Sequence, residues 1–436
     1  MNRSDTFVTP GTIPFLTGVY VAINAIEDAY LVVDGPNCVF FRIPQLQPNH
    51  DWLADLARSS GLHRVVDTDA TPSRVAQGNP RLLLDRLREV DGLPDCGGIL
   101  LTTMAHVAIT GRQYPTLLES MNPPLGHPVI LIPQGELTHD WLDGYGATLA
   151  ALARELPLAS PDARAAGEER PRVALVGHML HRREADATAD LAELIRLLEG
   201  LELEVVGTWL DGGTWESLGS VGHADWVLSL PYGREAARIL AARAGAELLE
   251  LPLPVGPGAT VEWIRCVAEA VDRRAQAEAF IEAELRRIMP RLEWIVAHEL
   301  LHRRVLVAGD PHLVDALTCG LSELGCAVVL EVVFAREGHP AGTSPPGARR
   351  LCSPSNQSLV EAMEELRRGE GAPDVCVVNS LAVHSLRGES SVLPFVEVGF
   401  PSYYTHALYP APLLGFDGTL SLVTRLVNTI RAAGVI

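Results

Sequence analysis

The sequence predicts an α/β protein built from three doubly wound, Rossmann-like parallel-sheet domains in series. Two observations carry this reading. Short, continuous apolar runs alternate with amphipathic helical stretches, which is how strands buried on both faces and covered by helices are written in sequence. The alternation also restarts twice, after a polar linker at 160–170 (SPDARAAGEER) and again near residue 303. A chain of 436 residues with 47% apolar content has room for two to four such domains at about 100–200 residues each.

The elements follow in order. The stretch 6–26 carries no charge up to Ile26 but holds Pro10, Gly11, Pro14 and Gly18, so it reads as a loop and a buried helix rather than a signal or a span. Runs at 29–33 (AYLVV), 98–102 (GILLT) and 128–132 (PVILI) read as strands, with a helix at 80–90 between them. The second unit has strands at 172–176, 202–208 and 226–230 and helices at 187–200 and 234–244. A long helical stretch at 261–302 is expected to break at Pro290. The third unit opens with a strand at 304–308, a Gly309-Asp310-Pro311 turn and a helix to Leu324, where Gly325 suits the left-handed position after a helix end. Strands follow at 327–333, 375–378 and 395–398, and the Gly/Pro/Ser-rich insert 338–349 reads as a surface loop. The expected domains are 1–165, 171–275 and 303–436, with an inter-domain helix at 276–302.

Composition excludes several chemistries. All 35 basic residues are arginine, because the chain has no lysine. A Walker A loop and a covalent pyridoxal site both need a lysine amine, and no GxGxxG follows any strand, so this chain is expected to bind no nucleotide. The net charge of −19 and the absence of Lys/Arg clusters argue against a nucleic-acid partner. That charge is either ordinary solubility or an acidic face for a basic partner. Seven cysteines at irregular spacing without CxxC are not a disulfide framework and fit a reducing cytoplasm.

Four stretches, in order and spacing, resemble the nitrogenase component 1 family, which includes the nitrogenase MoFe subunits, their cofactor-assembly homologues and dark-operative protochlorophyllide reductase. The first is 18–38 (GVYVAINAIEDAYLVVDGPNC). The second is 171–213 with 224–260, including Leu197-Leu198-Glu199-Gly200, Glu204-Val205-Val206 and the turn from Pro254 to Thr260. The third is 304–331. The fourth, 396–428, carries Gly399-Phe400-Pro401, an aromatic pair, His406 and Gly415-Phe416-Asp417-Gly418, and is similar to the β-type subunits.

The resemblance implies a three-domain subunit around a central cleft, pairing with a homologous subunit or a second copy of itself. It implies electrons delivered by an ATP-hydrolysing iron protein, and a [4Fe–4S] cluster shared with the partner. Cys38 matches the first ligand position, as a cluster ligand or as a buried or remnant thiol. The second position falls near Val65–Thr68, where Asp67 is an oxygen ligand or a solvated turn carboxylate. The third falls at Thr102-Thr103-Met104, and Met104 supplies no thiolate. No cysteine lies at 227–232, so a nitrogenase-type cofactor is not expected. A substrate in the cavity among the domains would meet His406, Tyr403 and Tyr404. The loss of two ligand positions leaves room for a second reading, a non-redox scaffold or small-molecule-binding subunit.

A third reading rests on His298-Glu299-Leu300-Leu301-His302. This is HExxH, which on a regular helix places two imidazoles on one face beside a glutamate, as in zinc hydrolases. The resemblance assigns the same residues to the inter-domain helix.

Overall fold

The computed structural model describes residues 13–135, 137–160, 170–336, 339, 342–369, 371–387 and 393–434. It contains three parallel sheets, one in each third of the chain. The first comprises β1 (Ala29–Asp34), β2 (Val65–Asp67), β3 (Gly98–Thr103) and β4 (Val129–Leu131) in the order β2-β1-β3-β4. The second repeats that order with β5 (Arg172–Val176), β6 (Glu204–Thr208), β7 (Trp226–Ser229) and β8 (Glu247–Glu250), as β6-β5-β7-β8. The third holds β9 (Arg304–Gly309), β10 (Ala327–Val333), β11 (Arg349–Cys352), β12 (Val375–Val378) and β13 (Phe395–Glu397), as β11-β10-β9-β12-β13. The fold class is therefore the expected one.

The central strands form because their side chains are apolar on both faces. Every residue of β1, β3 and β12 is buried. The opening helix Phe15–Asn24 is buried throughout and lies along the helix Trp141–Glu155. Glycine sets their approach: a Cβ on Gly18 would stand 1.7 Å from the Trp141 carbonyl oxygen, and one on Gly144 would stand 2.0 Å from that of Phe15. The C-terminal helix Gly415–Ala432 packs on the helices Ala187–Glu199, Pro257–Ala270 and Arg274–Ile295 as well as on β12 and β13, so it ties the second and third sheets together.

Several local expectations are corrected. Pro290 does not break the long helix. The break falls earlier, at Val271–Arg273, where Asp272 takes φ +55, and the helix Arg274–Ile295 then runs through Pro290. The proline ring lies on the exposed side, where a carbonyl left without its helical donor can face water. The edge strands β2, β8 and β11 are short and lack the unbroken apolar run of central strands. The expected strand 202–208 starts at Glu204, because Glu202 sits in a turn with φ +60. Gly325 does take a positive φ of +80 after the helix Pro311–Glu323. Residues 6–12 and 161–169, and parts of the insert 338–349, lie outside the described residues. Among the described residues no helix is long and apolar enough to cross a membrane.

Candidate functional site

The three expected ligand positions follow or end strands β1, β2 and β3 at the C-terminal edge of the first sheet. β1 pairs Val33 with Asp67 of β2 and Asp34 with Thr103 of β3. The chain leaving β1 turns through Gly35-Pro36 into a short 3-10 helix, Asn37–Gln45, whose second residue is Cys38. Cys38 is exposed. Asp67 Oδ1 accepts the Asp69 N–H at 2.7 Å, a turn bond within its own loop. Met104 packs on Gly35, where an added Cβ would stand 2.4 Å from Met104 Cγ.

A polar network that sequence reasoning missed closes this edge. The Asp34 carboxylate is fully buried and accepts from Thr68 Oγ1 (2.8 Å), Arg112 Nη1 (2.5 Å) and Tyr114 Oη (2.9 Å). Burial and the Asp34 charge push the Tyr114 phenol up. Cys96 sits at the opposite end of β3, buried, with its thiol pushed up to about 12 by desolvation. At the edge itself Cys38 presents an exposed thiol, and Asp67 is the carboxylate at the expected second position. That donor set fits a single contribution to an iron–sulfur group completed elsewhere, and not a four-thiolate site closed within the chain.

His406, Tyr403 and Tyr404 form a clasp between the second and third sheets. Buried Glu184 accepts His406 Nδ1 at 2.7 Å and the Ala407 N–H at 2.8 Å, and stands 3.4 Å from Arg182. Buried Glu397, at the end of β13, accepts the N–H groups of Tyr403 and Tyr404 (both 3.0 Å), the Thr405 hydroxyl (2.7 Å) and the Ser380 hydroxyl. The Tyr403 phenol is pushed up to about 12, mainly by burial. His406 remains 46% exposed on the clasp. None of the three lines either of the two cavities described next.

Those cavities share Tyr232 as a wall, the inner one lined from the second and third parts of the chain and the outer one from all three. One is an inner chamber of about 50 Å3, lined by His178, Met179, His181, Asp190, Arg425 and apolar side chains. The other is an outer vestibule of about 370 Å3, lined by Phe15, Gln134, His139, Asp143, Arg234, His312 and His339 among others. Both collect residues that follow the ends of strands, the usual ligand side of parallel sheets. Tyr232 Oη donates to buried Asp310, with oxygens at 3.0 and 3.1 Å. Desolvation raises Asp310 to about 6 and Asp190 to about 7. At the vestibule, His339 Nε2 lies 3.3 Å from Asp140 Oδ1 and 3.7 Å from Asp143 Oδ1, bridging the capped start of the helix Trp141–Glu155. His178 and His181 directly follow β5, but nothing in sequence showed that they line a cavity.

The HExxH spacing is not realised as a helical face. Residues Val296–Leu300 form a π turn and His302 lies beyond it with φ +65. His298 stacks on Trp294 with ring centroids 4.5 Å apart, and its Nδ1 meets the Trp294 carbonyl at 2.8 Å. Glu299 pairs with Arg431. The residues serve a helix end and its packing.

Three doubly wound domains around a shared cleft define a class of α/β subunit rather than a single-sheet nucleotide-binding enzyme. The solved structure of nitrogenase Cp1 has this fold, with a TM-score of 0.79 at 19% identity, covering 99% of this chain and 95% of that one. The profile of the nitrogenase component 1 type oxidoreductases matches residues 15–431, and the chain belongs to that family. It is 30% identical over 227 residues to the nitrogenase molybdenum-iron protein beta chain of Frankia alni, covering 49% of this chain and 40% of that protein. It is 26% identical over 278 residues to the beta chain of Clostridium pasteurianum, covering 56% and 57%. It is 25% identical over 382 residues to one of the subunits of light-independent protochlorophyllide reductase from Heliobacterium modesticaldum, covering 82% and 66%. The chain thus spans about half the length of the molybdenum-iron beta chains it matches.

Proposed function

We propose that this chain is a subunit of a nitrogenase-like two-component reductase. Members of the family bind iron–sulfur clusters, pair with a homologous subunit and work with an iron protein. In this reading Cys38, with Asp67 at the end of the neighbouring strand β2, donates to a [4Fe–4S] cluster held mainly by a homologous partner or a second copy. Electrons arrive from a separate ATP-hydrolysing iron protein, consistent with a lysine-free chain. The inner chamber and vestibule, rather than His406, Tyr403 and Tyr404, form the ligand cavity. The supporting observation is the exposed thiol at the C-terminal edge of the first sheet, at the family's first ligand position.

The test is an anaerobic pull-down of the tagged chain from its native host with iron and acid-labile sulfide assayed. Iron and sulfide at roughly four each per partner pair, lost in Cys38→Ala, support the reading. A complex whose iron content is indifferent to Cys38→Ala sinks it. The closed Asp34–Arg112–Tyr114–Thr68 network favours one alternative, a cluster-free scaffold or small-molecule-binding subunit. That subunit would purify without iron and keep its partner after Cys38→Ala.

A further inference from the structure

The helix Trp141–Glu155 of the first unit starts with a capping box. Asp140 Oδ1 accepts the Leu142 N–H at 2.9 Å, and Asp143 Oδ2 accepts the Asp140 N–H at 2.9 Å. The chain after β10 of the third unit reaches this helix start. The Arg336 N–H donates to Asp140 Oδ2 at 2.7 Å, and His339 Nε2 stands 3.3 Å from Asp140 Oδ1 and 3.7 Å from Asp143 Oδ1. Ordinary N–H···O bonds are about 2.7–3.2 Å long, so the imidazole is near both carboxylates without a strong bond to either. Among the described residues no hydrogen bond reaches Asp143 Oδ1, because the cap uses the other oxygen. Nor does any arginine pair with Asp140 or Asp143 among the described residues, although the Asp140 side chain is only 4% exposed. Two neighbouring carboxylates, one of them buried, thus lack a permanent cation, which is costly to leave uncompensated.

We propose that Asp140, Asp143 and His339 bind one Zn2+ ion at the vestibule. One ligand atom from each lies within 4.8 Å of the other two, and among the described residues no other three carboxylate, imidazole or thiol groups meet in this way. With Zn–N and Zn–O bonds of about 2.0–2.2 Å, neighbouring ligands of a tetrahedral ion stand about 3.3–3.6 Å apart. The separations of 3.3 and 3.7 Å from His339 Nε2 lie at that spacing. An octahedral Mg2+ ion would need ligands about 2.8–3.0 Å apart and takes oxygen rather than imidazole. The remaining carboxylate oxygens are tied to the Arg336 and Asp140 N–H groups, the kind of outer bond that orients a ligating carboxylate. The Asp143 and His339 side chains are 29% and 18% exposed and line the vestibule, so an ion has a way in. Three protein ligands leave a fourth position for water or for an oxygen of whatever fills the vestibule, as in catalytic zinc sites. The assignment deepens the reading of the vestibule as part of the ligand cavity and rests on that reading only for its fourth ligand. It uses neither Cys38 nor Asp67, and it is separate from the HExxH residues.

The experiment titrates Zn2+ into the full chain against a chromophoric chelator, with Co2+ as a spectroscopic probe of the same site. One Zn2+ per chain is expected, and the Co2+ form should show the visible absorption of a tetrahedral ion without a thiolate charge-transfer band. His339→Ala lies outside the helix cap, so it should keep the fold while weakening Zn2+ binding at least tenfold. Asp143→Asn retains an acceptor for the Asp140 N–H and should show a similar loss. His298→Gln/His302→Gln should leave the affinity unchanged. A folded chain that takes up no Zn2+ in this competition overturns the proposal. So does affinity unchanged in His339→Ala, affinity lost in His298→Gln/His302→Gln, or a Co2+ spectrum dominated by thiolate. Iron and sulfide lost in Cys38→Ala score the cluster reading separately, so either can fail alone.

Discussion

Asp190 gives the sharpest test of the energetics at the cleft. Its Oδ1 accepts the Leu413 and Leu414 N–H groups at 2.6 and 2.8 Å, joining the helix Ala187–Glu199 to the start of the C-terminal helix. Desolvation, opposed by these bonds and by Arg425, raises it from 3.8 to about 7. Between about pH 4 and 7 the unfolded chain has already lost a proton that the folded chain keeps. Raising the pH through that window therefore favours unfolding. At about 1.36 kcal/mol per unit, the full cost above pH 7 is about 4 kcal/mol, and it is absent below pH 4. Asparagine cannot ionise, and its amide oxygen can still accept both N–H groups. Asp190→Asn should match the parent near pH 4 and exceed it by about 2–4 kcal/mol at pH 8. With about 2.1 cal/mol/K of unfolding entropy per residue over the roughly 260 residues from 170 onward, 3 kcal/mol is ~5 °C in midpoint. Thermal unfolding at pH 4.5, 6 and 8 reads this directly. Parallel pH profiles for parent and variant would refute the argument.

Three further outcomes follow from other contacts. Arg350 sits 2.8 Å from the fully buried Glu331 and 2.6 Å from Asp315. Arg350→Met should cost about 3–5 kcal/mol, and adding Glu331→Gln should recover much of it, as a double-mutant cycle of thermal midpoints will read. Gly18→Ala drives a methyl into the Trp141 carbonyl and should cost about 1–3 kcal/mol or more, whereas Gly146→Ala, with nothing within 4 Å, should be neutral or mildly stabilising; midpoints of the pair decide. Glu184→Gln should loosen the 403–409 clasp, raising its proteolytic cleavage rate severalfold.

The central strands and most helices were legible because burial on both faces leaves a local record: an unbroken apolar run, then a 3.6-residue period. Asp310 and Gly325 are equally local, a helix cap and a left-handed residue after a helix end. Pro290 misled because its cost depends on which side of the helix faces water, a tertiary fact. The edge strands β2, β8 and β11 were missed because pairing on one side tolerates mixed residues. The same limit governed the site. The family resemblance pointed to Cys38, but Asp34, which lies four residues earlier, gave no sign of meeting Arg112 and Tyr114.

Sequence alone determined the class of fold, the family and the absence of lysine chemistry, since these rest on residue type and on spacing along the chain. Tertiary structure alone decided that His406 joins the second and third units, that HExxH is a helix end, and that His178 and His181 line a common chamber. Each of those facts depends on which side chains from distant segments meet and lose water together. In the clasp, Glu184 and His406 are 222 residues apart, a separation on which no local pattern bears.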